Sequence, residues 1–518
     1  MPHRDAETIP VGGLPKVVNY QTKDTTMPIE LSVEDLPEIS RTASVPRYHR
    51  GSLKGGIVHF GVGNFHRAHQ AVYLDDLFNL GFDHDWALIG AGVRANDEDM
   101  RRKLLGQDYL TTVVEQEAAG TSARVTAAMI DFLPVGDLAT ISETLADPQV
   151  RIVSLTVTEG GYYIDPASQR FDAAHPDILA DSANPEAPKT VFGLILLGLQ
   201  LRKERGVPPF TVMSCDNIPG NGHVTQNAVA GLAELINPAL AQWVREAVAF
   251  PNGMVDRITP ATGQRERDAL EADFGIVDAW PVFCEEFRQW VLEDHFPAGR
   301  PALERVGVQF VPDVAPFEHM KIRILNGGHA TIAYPAALLD IHFVHEAMEH
   351  PLIRVFLEKV EREEIIPVVP PVPETDLDDY YRLIERRFSN PKIGDTIQRL
   401  CLDGSNRQPK FILPSAADRL AAGQGVAGLA LVSALWARYC YGESDSGKPI
   451  APNDPSWDRL TALAKEARTD PRAWLTMGDI FGPLASNPAY VAAFTAALSN
   501  LWSKGTKATL EAYLGNAL

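Results

Sequence analysis

The clearest indication of the fold is the stretch GIVHFGVGNFHRAHQ at positions 56–70. Its first five residues form a short run typical of a β-strand, and Gly61 and Gly63 follow that run at once. A helical segment at 71–80 and a second apolar run at 86–93 come next. The order strand, glycine turn, helix and strand predicts a βαβ unit, and therefore a parallel sheet that is buried on both faces.

Two further apolar runs, at 151–158 and 210–214, also have the character of strands. Each run is followed by or ends in polar residues: Glu159-Gly160-Gly161-Tyr162 at the first and Cys215-Asp216-Asn217 after the second. Ligands of open α/β sheets bind outside the carboxyl ends of the strands. These two clusters are therefore candidates for a ligand site.

The texture of the chain changes near residue 312, and from about 316 onward long amphipathic stretches such as 356–366 and 457–468 predict helices. We predict an α/β protein in three parts. Residues 1–54 are a polar N-terminal arm that lies over the first domain, and 55–312 form a Rossmann-type dinucleotide-binding domain. Residues 313–518 form a mostly α-helical, substrate-binding C-terminal domain, with an extended excursion at 366–373.

Composition excludes several classes of protein. The 518 residues carry 47 Lys and Arg against 67 Asp and Glu, a net charge of −20, which disfavours nucleic acid and membrane surfaces as partners. The four cysteines lie far apart without a CxxC pair, which fits a reducing compartment. The first residues lack the apolar region of a secretory signal, so we expect none. The longest apolar stretch, 426–437, is shorter than the roughly 20 residues that span a bilayer. We expect a cytoplasmic monomer or small homo-oligomer.

The glycine turn departs from the standard dinucleotide fingerprint. Gly61 suits the tight turn and Gly63 the close approach of backbone to pyrophosphate, but His66 replaces the third glycine. Arg94 follows the second strand directly, and the first acid, Asp97, comes later than the usual spacing of roughly 20 residues. Arg94 would suit a 2′-phosphate, so NADP stays open beside NAD. The candidate cofactor-binding residues are Gly61, Gly63, Asn64, Phe65, His66, Arg94 and Asp97.

A dense polar set lies in the helical segment EHMKIRILNGGHATI at 318–332. At about 100° per residue, Lys321, Asn326 and His329 share one side of an α-helix. Burial would lower the pKa of Lys321 and make its neutral amine available as a base. Asn326 would then donate to an oxyanion, and His329 would form a hydrogen bond with a hydroxyl group. Taken alone, Lys321 could equally be a lysine that extends its amine to solvent, and His329 a histidine of the core. Gly327 and Gly328 suggest that something packs close to the helix backbone.

Five motifs together resemble the mannitol dehydrogenase family of long-chain polyol-specific dehydrogenases, from about residue 55 to the C-terminus. The motifs are GxGxFHRAH at 61–69, TVTEGGY at 156–162, SCDNIPxNG at 214–222, MVDRITP at 254–260, and the stretch from Lys321 to His329. The family's own turn lacks the third glycine. The resemblance implies a metal-independent enzyme that transfers hydride between a polyol and NAD, with D-mannitol and D-fructose as the expected pair of small-molecule substrates.

The resemblance also implies roles by position. Lys321 is the general base, and Asn217 and Asn326 form the oxyanion site. Asp256 and His329 match positions near the nicotinamide and the substrate hydroxyl groups, and Glu159 matches a carboxylate that passes the lysine's proton to solvent. Substrate-binding positions in the stretch 398–410 are Arg399 and Lys410, with Arg407 as the alternative to Lys410.

These roles agree with the chemistry of alcohol oxidation, which removes one proton and one hydride. Neutral Lys321 takes the proton, and the hydride passes to the nicotinamide. Two amide donors stabilise the developing alkoxide, where one such donor is worth about 3 kcal/mol. A lysine and two asparagines can thereby replace a Lewis-acid metal.

Alternatives from other classes are a zinc enzyme and a non-catalytic sugar or nucleotide sensor. His66 with His69, and His345 with His350 around Glu346, would be the zinc ligands, but the latter spacing is five residues instead of the four of HExxH. A sensor would have lost the lysine or the asparagines, and all are present.

Within the family, fructuronate and tagaturonate reductases bind a sugar acid, and D-arabinitol dehydrogenases bind another polyol. Arg399, Arg407 or Lys410 would supply the cation for a sugar acid. We favour a neutral polyol because the motifs are closest to those of mannitol dehydrogenases.

Overall fold

The computed structural model describes residues 27–165 and 170–515, so the first 26 residues of the predicted arm lie outside the described part of the chain. The strands of the described residues are, in chain order, β1 (Ile29–Glu30), β2 (Gly55–Phe60), β3 (Ala87–Ala91), β4 (Thr111–Gln116), β5 (Thr121–Thr126), β6 (Met129–Phe132), β7 (Ile152–Leu155), β8 (Thr211–Ser214), β9 (Gly253–Asp256), β10 (Ile276–Val277), β11 (Val282–Glu285), β12 (Gln289–Glu293) and β13 (Gln309–Val311).

A five-stranded parallel sheet, in the order β6-β3-β2-β7-β8, is the centre of the N-terminal domain. The four strands predicted from apolar runs are confirmed as β2, β3, β7 and β8, and the predicted helix at 71–80 is Gln70–Asn79. Phe60 at the end of β2 pairs with Ala91 of β3 and Leu155 of β7, so the carboxyl ends of these strands lie at one edge. The glycine turn and the TVTEGGY motif therefore meet there.

Helices cover both faces of this sheet, as the βαβ pattern predicts. The α-helices of the N-terminal part are Leu36–Ile39, Asn64–Ala68, Gln70–Asn79, Ala95–Leu105, Leu138–Ala146, Pro176–Ala183, Val191–Arg205, Asn221–Ile236, Pro238–Ala247 and Gln264–Phe274. Val58 and Phe60 pack into an apolar cluster with the helix Val191–Arg205, while Ile57 packs into another with the helix Gln70–Asn79. The two sets come from alternate residues of one strand, which point to opposite faces.

The N-terminal domain also contains two three-stranded sheets. Their strand orders are β13-β12-β9 and β11-β4-β5. Strand β9 ends at Asp256 and strand β11 ends at Glu285. Residues 27–54 lie against this domain, where β1 pairs with β10 and Ser44 bridges to Arg124.

The C-terminal domain is mostly helical, as predicted. Its α-helices are Ala315–Met320, Gly327–Leu338, Val344–Glu349, Pro351–Val360, Leu377–Phe388, Ile397–Leu400, Gly404–Phe411, Leu413–Ala421, Ala427–Tyr439, Trp457–Ala467, Gly478–Phe481 and Pro488–Leu514. The apolar stretch at 426–437 forms the buried helix Ala427–Tyr439, which packs against Pro488–Leu514. Among the described residues, no helix is long and apolar enough to cross a membrane.

Two long helices of this domain contain π-helical turns. Lys321–Asn326 is a π-helix between Ala315–Met320 and Gly327–Leu338, and Glu361–Ile365 is a π-helix after Pro351–Val360. The prediction of a regular α-helix from Lys321 to His329 is therefore wrong for Lys321–Asn326. A π-turn takes one more residue than an α-turn, so it brings Asn326 closer to the side of the helix that carries Lys321. The stretch predicted as extended begins instead with a short 3₁₀ turn, Ile366–Val368.

Candidate active site

The glycine turn after β2 has the geometry of a pyrophosphate site. Gly61 has φ +91, and a Cβ there would lie 2.1 Å from the carbonyl oxygen of Thr156, so no larger residue fits. A Cβ on Gly63 would meet nothing closer than 3.9 Å, which leaves open the side of the backbone that a phosphate approaches. The backbone of this turn fits a dinucleotide.

Residues that follow Gly63 brace the turn. The Asn64 side-chain oxygen accepts hydrogen bonds from Arg67 at 2.8 Å and from the Trp280 indole at 3.2 Å. Phe65 stacks on a neighbouring histidine, His69, and the His66 ring stacks on His59 with 3.5 Å between centroids. These contacts support the turn from inside the domain.

His66 is an uncharged, buried ring in this environment. Burial, and then the charges of His59 and Arg67, hold its pKa well below the usual value. Neither ring nitrogen has a hydrogen-bond partner among the described residues. A contact between His66 and the cofactor stays a prediction.

Asp97 and Arg94 lie at the carboxyl end of β3. The Asp97 carboxylate accepts hydrogen bonds from the backbone N–H groups of Val93 and Arg94, both at 2.8 Å. Arg94 caps the helix Ala95–Leu105 and its side chain is exposed. Asp97 thus shapes the loop that follows β3, where a ribose would bind, and its contact with the cofactor remains a prediction.

Lys321 lies where the long helix meets the ends of β8 and β9. Its Nζ donates to Asn217 Oδ1 at 2.6 Å and to the carbonyl oxygen of Val255 at 2.7 Å. Only 6% of the residue is exposed. Burial lowers the pKa of Lys321, the Asp256 carboxylate opposes that effect, and the Arg387 guanidinium adds to it.

The contact between Lys321 and Asn217 orients the amide group of Asn217. Because Oδ1 accepts from the lysine, Nδ2 points elsewhere, and the residue is exposed. Asn326 and His329 follow on the same long helix, and Asn326 Oδ1 and His329 Nε2 are both buried without a partner in the described part of the chain. Lys321 and Asn217 are therefore in direct contact, and the place of Asn326 beside them at the substrate stays a prediction.

The double glycine before His329 permits close packing, as expected. A Cβ on Gly327 would lie 3.3 Å from the carbonyl oxygen of Phe411, and one on Gly328 would lie 3.0 Å from Glu361 Oε1. Both contacts are tighter than ordinary van der Waals contact.

Asp256 belongs to a buried ion triad that the sequence did not reveal. Arg387 donates to both Asp256 oxygens at 2.7 and 3.0 Å and to both Glu285 oxygens at 2.9 and 2.7 Å. Burial would raise the pKa of Asp256, but Arg387 and Lys321 outweigh it and hold that pKa below its ordinary value. Arg387 comes from the helix Leu377–Phe388, so the triad also joins the two domains.

Glu318, one turn before Lys321, is a second functional candidate that sequence reasoning missed. It is buried and accepts a hydrogen bond from the Gly220 N–H at 3.0 Å. Burial raises its pKa to about 7, against the lowering effects of the Gly220 hydrogen bond and the Lys321 charge. Glu318, Asn217 and Lys321 line one pocket that is partly open to solvent. The signal available in the sequence was its position three residues before the lysine.

Glu159 lies in the turn Glu159–Tyr162 that follows β7. Its side chain lies outside the part of the structure that is described. The proton-transfer role that the resemblance gives to Glu159 therefore stays a prediction.

The basic residues of the stretch 398–410 occupy different environments. Arg399 forms an ion pair with Asp395, and Arg407 donates to the carbonyl oxygen of Leu400 at 2.9 Å. Burial, and then the charges of Arg399, Arg387 and Arg407, hold the pKa of His329 well below its usual value. Lys410 is exposed in the last turn of its helix and is not among the charges that act on His329. This geometry favours Arg407 over Lys410 as a neighbour of the site.

Across 27–165 and 170–515, no three or more His, Cys, Asp or Glu side chains are grouped as metal ligands would be. Of the histidines considered for zinc, His69 bonds instead to the carbonyl oxygen of Gln289 at 3.0 Å.

Comparison with known families assigns both domains. A family model described as the mannitol dehydrogenase Rossmann domain matches residues 55–305. A second, described as the mannitol dehydrogenase C-terminal domain, matches residues 313–502.

Similar proteins cover almost the whole chain. Mannitol 2-dehydrogenase of Cereibacter sphaeroides is 61% identical over 477 residues, which cover 92% of this chain and 100% of that protein. Mannitol 2-dehydrogenase of Aspergillus fumigatus is 41% identical over 500 residues, covering 94% of this chain and 99% of that protein.

Two solved structures have the same fold. The ternary complex of Pseudomonas fluorescens mannitol 2-dehydrogenase with NAD and D-mannitol has a TM-score of 0.85 at 42% identity, and the match covers 94% of this chain and 100% of that one. A substrate-free D-sorbitol dehydrogenase has a TM-score of 0.86 at 33% identity, with 93% of this chain and 100% of that one covered.

Proposed function

This chain belongs to the mannitol dehydrogenase family as an NAD-dependent polyol dehydrogenase, and we propose that it oxidises D-mannitol to D-fructose and catalyses the reverse reduction. The resemblance found in five sequence motifs is thereby confirmed. The choice of D-mannitol is supported by the relative of 61% identity, which is a mannitol 2-dehydrogenase, and by the related structure that contains NAD and D-mannitol.

The observation that carries the mechanism is the pair of hydrogen bonds made by Lys321. A neutral amine has two N–H groups and one lone pair. In Lys321 the two acceptors, Asn217 Oδ1 and the Val255 carbonyl oxygen, match the two N–H groups. The lone pair is then left for the hydroxyl proton of a substrate. Burial favours this neutral form because it lowers the pKa of Lys321. We therefore assign Lys321 as the general base.

Two amide groups stabilise the alkoxide that forms as the proton leaves. Asn217 gives its oxygen to Lys321, so its Nδ2 is the donor that remains for the substrate oxygen. Asn326 follows one π-turn after Lys321 and supplies the second amide. A single such donor is worth about 3 kcal/mol in the transition state. Bound NAD would supply the nicotinamide that takes the hydride from the carbon bearing the reacting hydroxyl group.

The proton leaves Lys321 by way of Glu318. This carboxyl group is close enough for its charge and that of Lys321 to influence each other, and its pKa of about 7 lets it take up and release a proton near neutral pH. Both residues line the same pocket, which gives the proton a path away from the substrate. The proton-transfer role that the resemblance gives to Glu159 stays a prediction beside this proposal for Glu318.

The Arg387 triad sets the charge beside the base. Arg387 keeps Asp256 ionised, and that carboxylate prevents the pKa of Lys321 from falling as far as burial alone would take it. A base whose pKa lies near the working pH combines basic strength with a large fraction in the neutral form.

The Arg399 guanidinium is paired with Asp395, so its charge is compensated. Arg407 donates to the carbonyl oxygen of Leu400 and keeps its positive charge, so the choice of a neutral polyol over a sugar acid rests on the mannitol 2-dehydrogenase relatives. The four cysteines are buried free thiols, which supports a reducing compartment, and we place the protein in the cytoplasm as a monomer or small homo-oligomer.

The decisive experiment compares initial rates of NADH oxidation with D-fructose and with D-fructuronate on the purified protein. Faster reduction of D-fructose supports the proposal, and faster reduction of D-fructuronate refutes it in favour of a sugar-acid reductase. D-Arabinitol oxidation and NADPH in place of NADH are measured alongside, because they test the other polyol and the cofactor preference.

A further inference from the structure

Glu361 is a buried acid for which neither the fold nor the catalytic groups account. It begins the π-helix Glu361–Ile365 and is 1% exposed. Neither carboxyl oxygen has a hydrogen-bond partner among the described residues. Burial raises the pKa of Glu361 well above its ordinary value, so the side chain is a neutral carboxylic acid. An unsatisfied polar group destabilises a fold and calls for an explanation.

The position of Glu361 points to the active-site helix. Its Oε1 lies 3.0 Å from the place that a Cβ on Gly328 would occupy. Gly328 lies between Asn326 and His329, the two residues of that helix expected to contact the polyol. The π-helices that begin at Glu361 and at Lys321 also pack against each other. The carboxyl group therefore lies against the turn that holds the substrate-binding residues.

Tyr380 carries a second unused polar group on an element beside the active-site helix. Its hydroxyl group is buried and has no partner in the described residues. Tyr380 belongs to the helix Leu377–Phe388, which also supplies Arg387 of the ion triad and packs against the π-helix Lys321–Asn326. Burial raises the pKa of Tyr380, so its hydroxyl group stays protonated and can donate a hydrogen bond.

We propose that the Glu361 carboxyl group and the Tyr380 hydroxyl group extend the polyol site and bind hydroxyl groups of the substrate remote from the reacting carbon. This inference rests on the proposed function. Together with Asn326 Oδ1 and His329 Nε2, these groups are unpartnered buried polar atoms on the active-site helix and on two elements that pack against it. A hexitol carries several hydroxyl groups beyond the one that reacts, and each needs a partner when water is excluded.

The chemistry of a neutral carboxyl group matches a hydroxyl group. The protonated acid offers one O–H donor and retains acceptor oxygens, and a hydroxyl group both donates and accepts. Glu361 can therefore donate to one hydroxyl group of the substrate and accept from another.

Glu364, in the same π-helix, shows what a structural buried acid looks like in this protein. It accepts hydrogen bonds from the N–H groups of Gly428 at 2.7 Å and Leu429 at 3.0 Å, and from the Tyr513 hydroxyl at 3.1 Å. All these partners belong to the fold, whereas Glu361 has none among the described residues. Glu364 is therefore the matched control for Glu361.

The test compares Glu361→Met, Glu361→Gln, Tyr380→Phe and Glu364→Met in steady-state kinetics and thermal unfolding. In Glu361→Met, KM for D-mannitol and D-fructose should rise about 10-fold, because a hydrogen bond to substrate is worth roughly a factor of ten, and kcat and the Kd of NAD should change less. Its Tm should rise, since an unsatisfied polar group is removed. Glu361→Gln keeps a donor and an acceptor and should recover most of the KM, and Tyr380→Phe should also raise KM.

Glu364→Met should lower Tm and leave KM unchanged. The proposal would be overturned if Glu361→Met kept the KM of the wild type. It would also be overturned if Glu361→Met had a lower Tm and Glu364→Met showed an equal rise of KM. If the wild-type enzyme turned over neither D-mannitol nor D-fructose, the proposed function would fail. The subsite would then be tested by the rise in Tm that D-mannitol, D-sorbitol and D-arabinitol cause in the wild type and in Glu361→Met. A rise that is seen in the wild type and lost in Glu361→Met supports the subsite. A rise that persists in Glu361→Met, or no rise in the wild type, overturns it.

Discussion

The charge balance around Lys321 predicts how the Asp256→Asn variant responds to pH. Burial lowers the pKa of Lys321, the Asp256 carboxylate raises it, and the Arg387 guanidinium lowers it. The substitution removes the carboxylate and leaves Arg387 with one ionised partner fewer. Both changes lower the pKa of the lysine.

The expected size of this shift follows from the proximity of the charges. An opposite charge within a few ångströms moves a pKa by about 1–3 units, and one unit corresponds to about 1.4 kcal/mol. Because the neutral amine is the active form, kcat/KM for D-mannitol oxidation rises with pH through the pKa of the free enzyme's base. In Asp256→Asn the acid limb of that profile should move to lower pH by about 1–3 units, even where the maximal rate falls.

The assay is the pH dependence of initial rates with NAD and D-mannitol, in buffers of constant ionic strength. Glu285→Gln is the matched control, because Glu285 shares Arg387 but is not among the charges that act on the pKa of Lys321. Its acid limb should shift less. An Asp256→Asn profile that stays in place, or moves to higher pH, would refute the assigned charge balance.

Three further outcomes are expected. Asn217→Ala and Asn326→Ala should each reduce kcat about 10²-fold, and a change confined to KM would contradict the oxyanion role. Glu318→Gln should slow turnover and should flatten the pH dependence of the free energy of unfolding. Because the pKa of Glu318 is raised in the folded protein, the wild type should lose about 3 kcal/mol of stability as the pH rises from about 4.5 to 7. Denaturant titrations of both proteins across that range test this, and parallel curves would count against it. Chelator treatment should leave activity intact, and a loss restored by added metal would revive the zinc alternative.

Local sequence was sufficient for the parts of the fold that repeat a simple pattern. The parallel sheet follows from apolar runs broken by glycine, and Gly61 has the positive φ that its place in the turn requires. Lys321 and Asn217 belong to motifs that follow one another in a known order, and their hydrogen bond joins elements about a hundred residues apart.

Other parts of the site depend on tertiary contacts that no local pattern reveals. Arg387 reaches Asp256 and Glu285 across the domain boundary, and its own sequence context is an ordinary amphipathic helix. The π-turn at Lys321–Asn326 arises where two helices pack closely, so the α-helical period misplaced its side chains. Glu361 differs from Glu364 only in what surrounds it, which composition and spacing cannot show.

The central claim, that Lys321 is the general base, is tested most directly by Lys321→Ala in single-turnover oxidation of D-mannitol with NAD, beside Lys465→Ala as a control at an exposed lysine. The account predicts a loss of about 10²–10⁴-fold in the rate of hydride transfer, with an unchanged Kd for NAD and partial rescue by added primary amines. The control should keep the wild-type rate. A hydride-transfer rate in Lys321→Ala within a few-fold of the wild type would contradict the account.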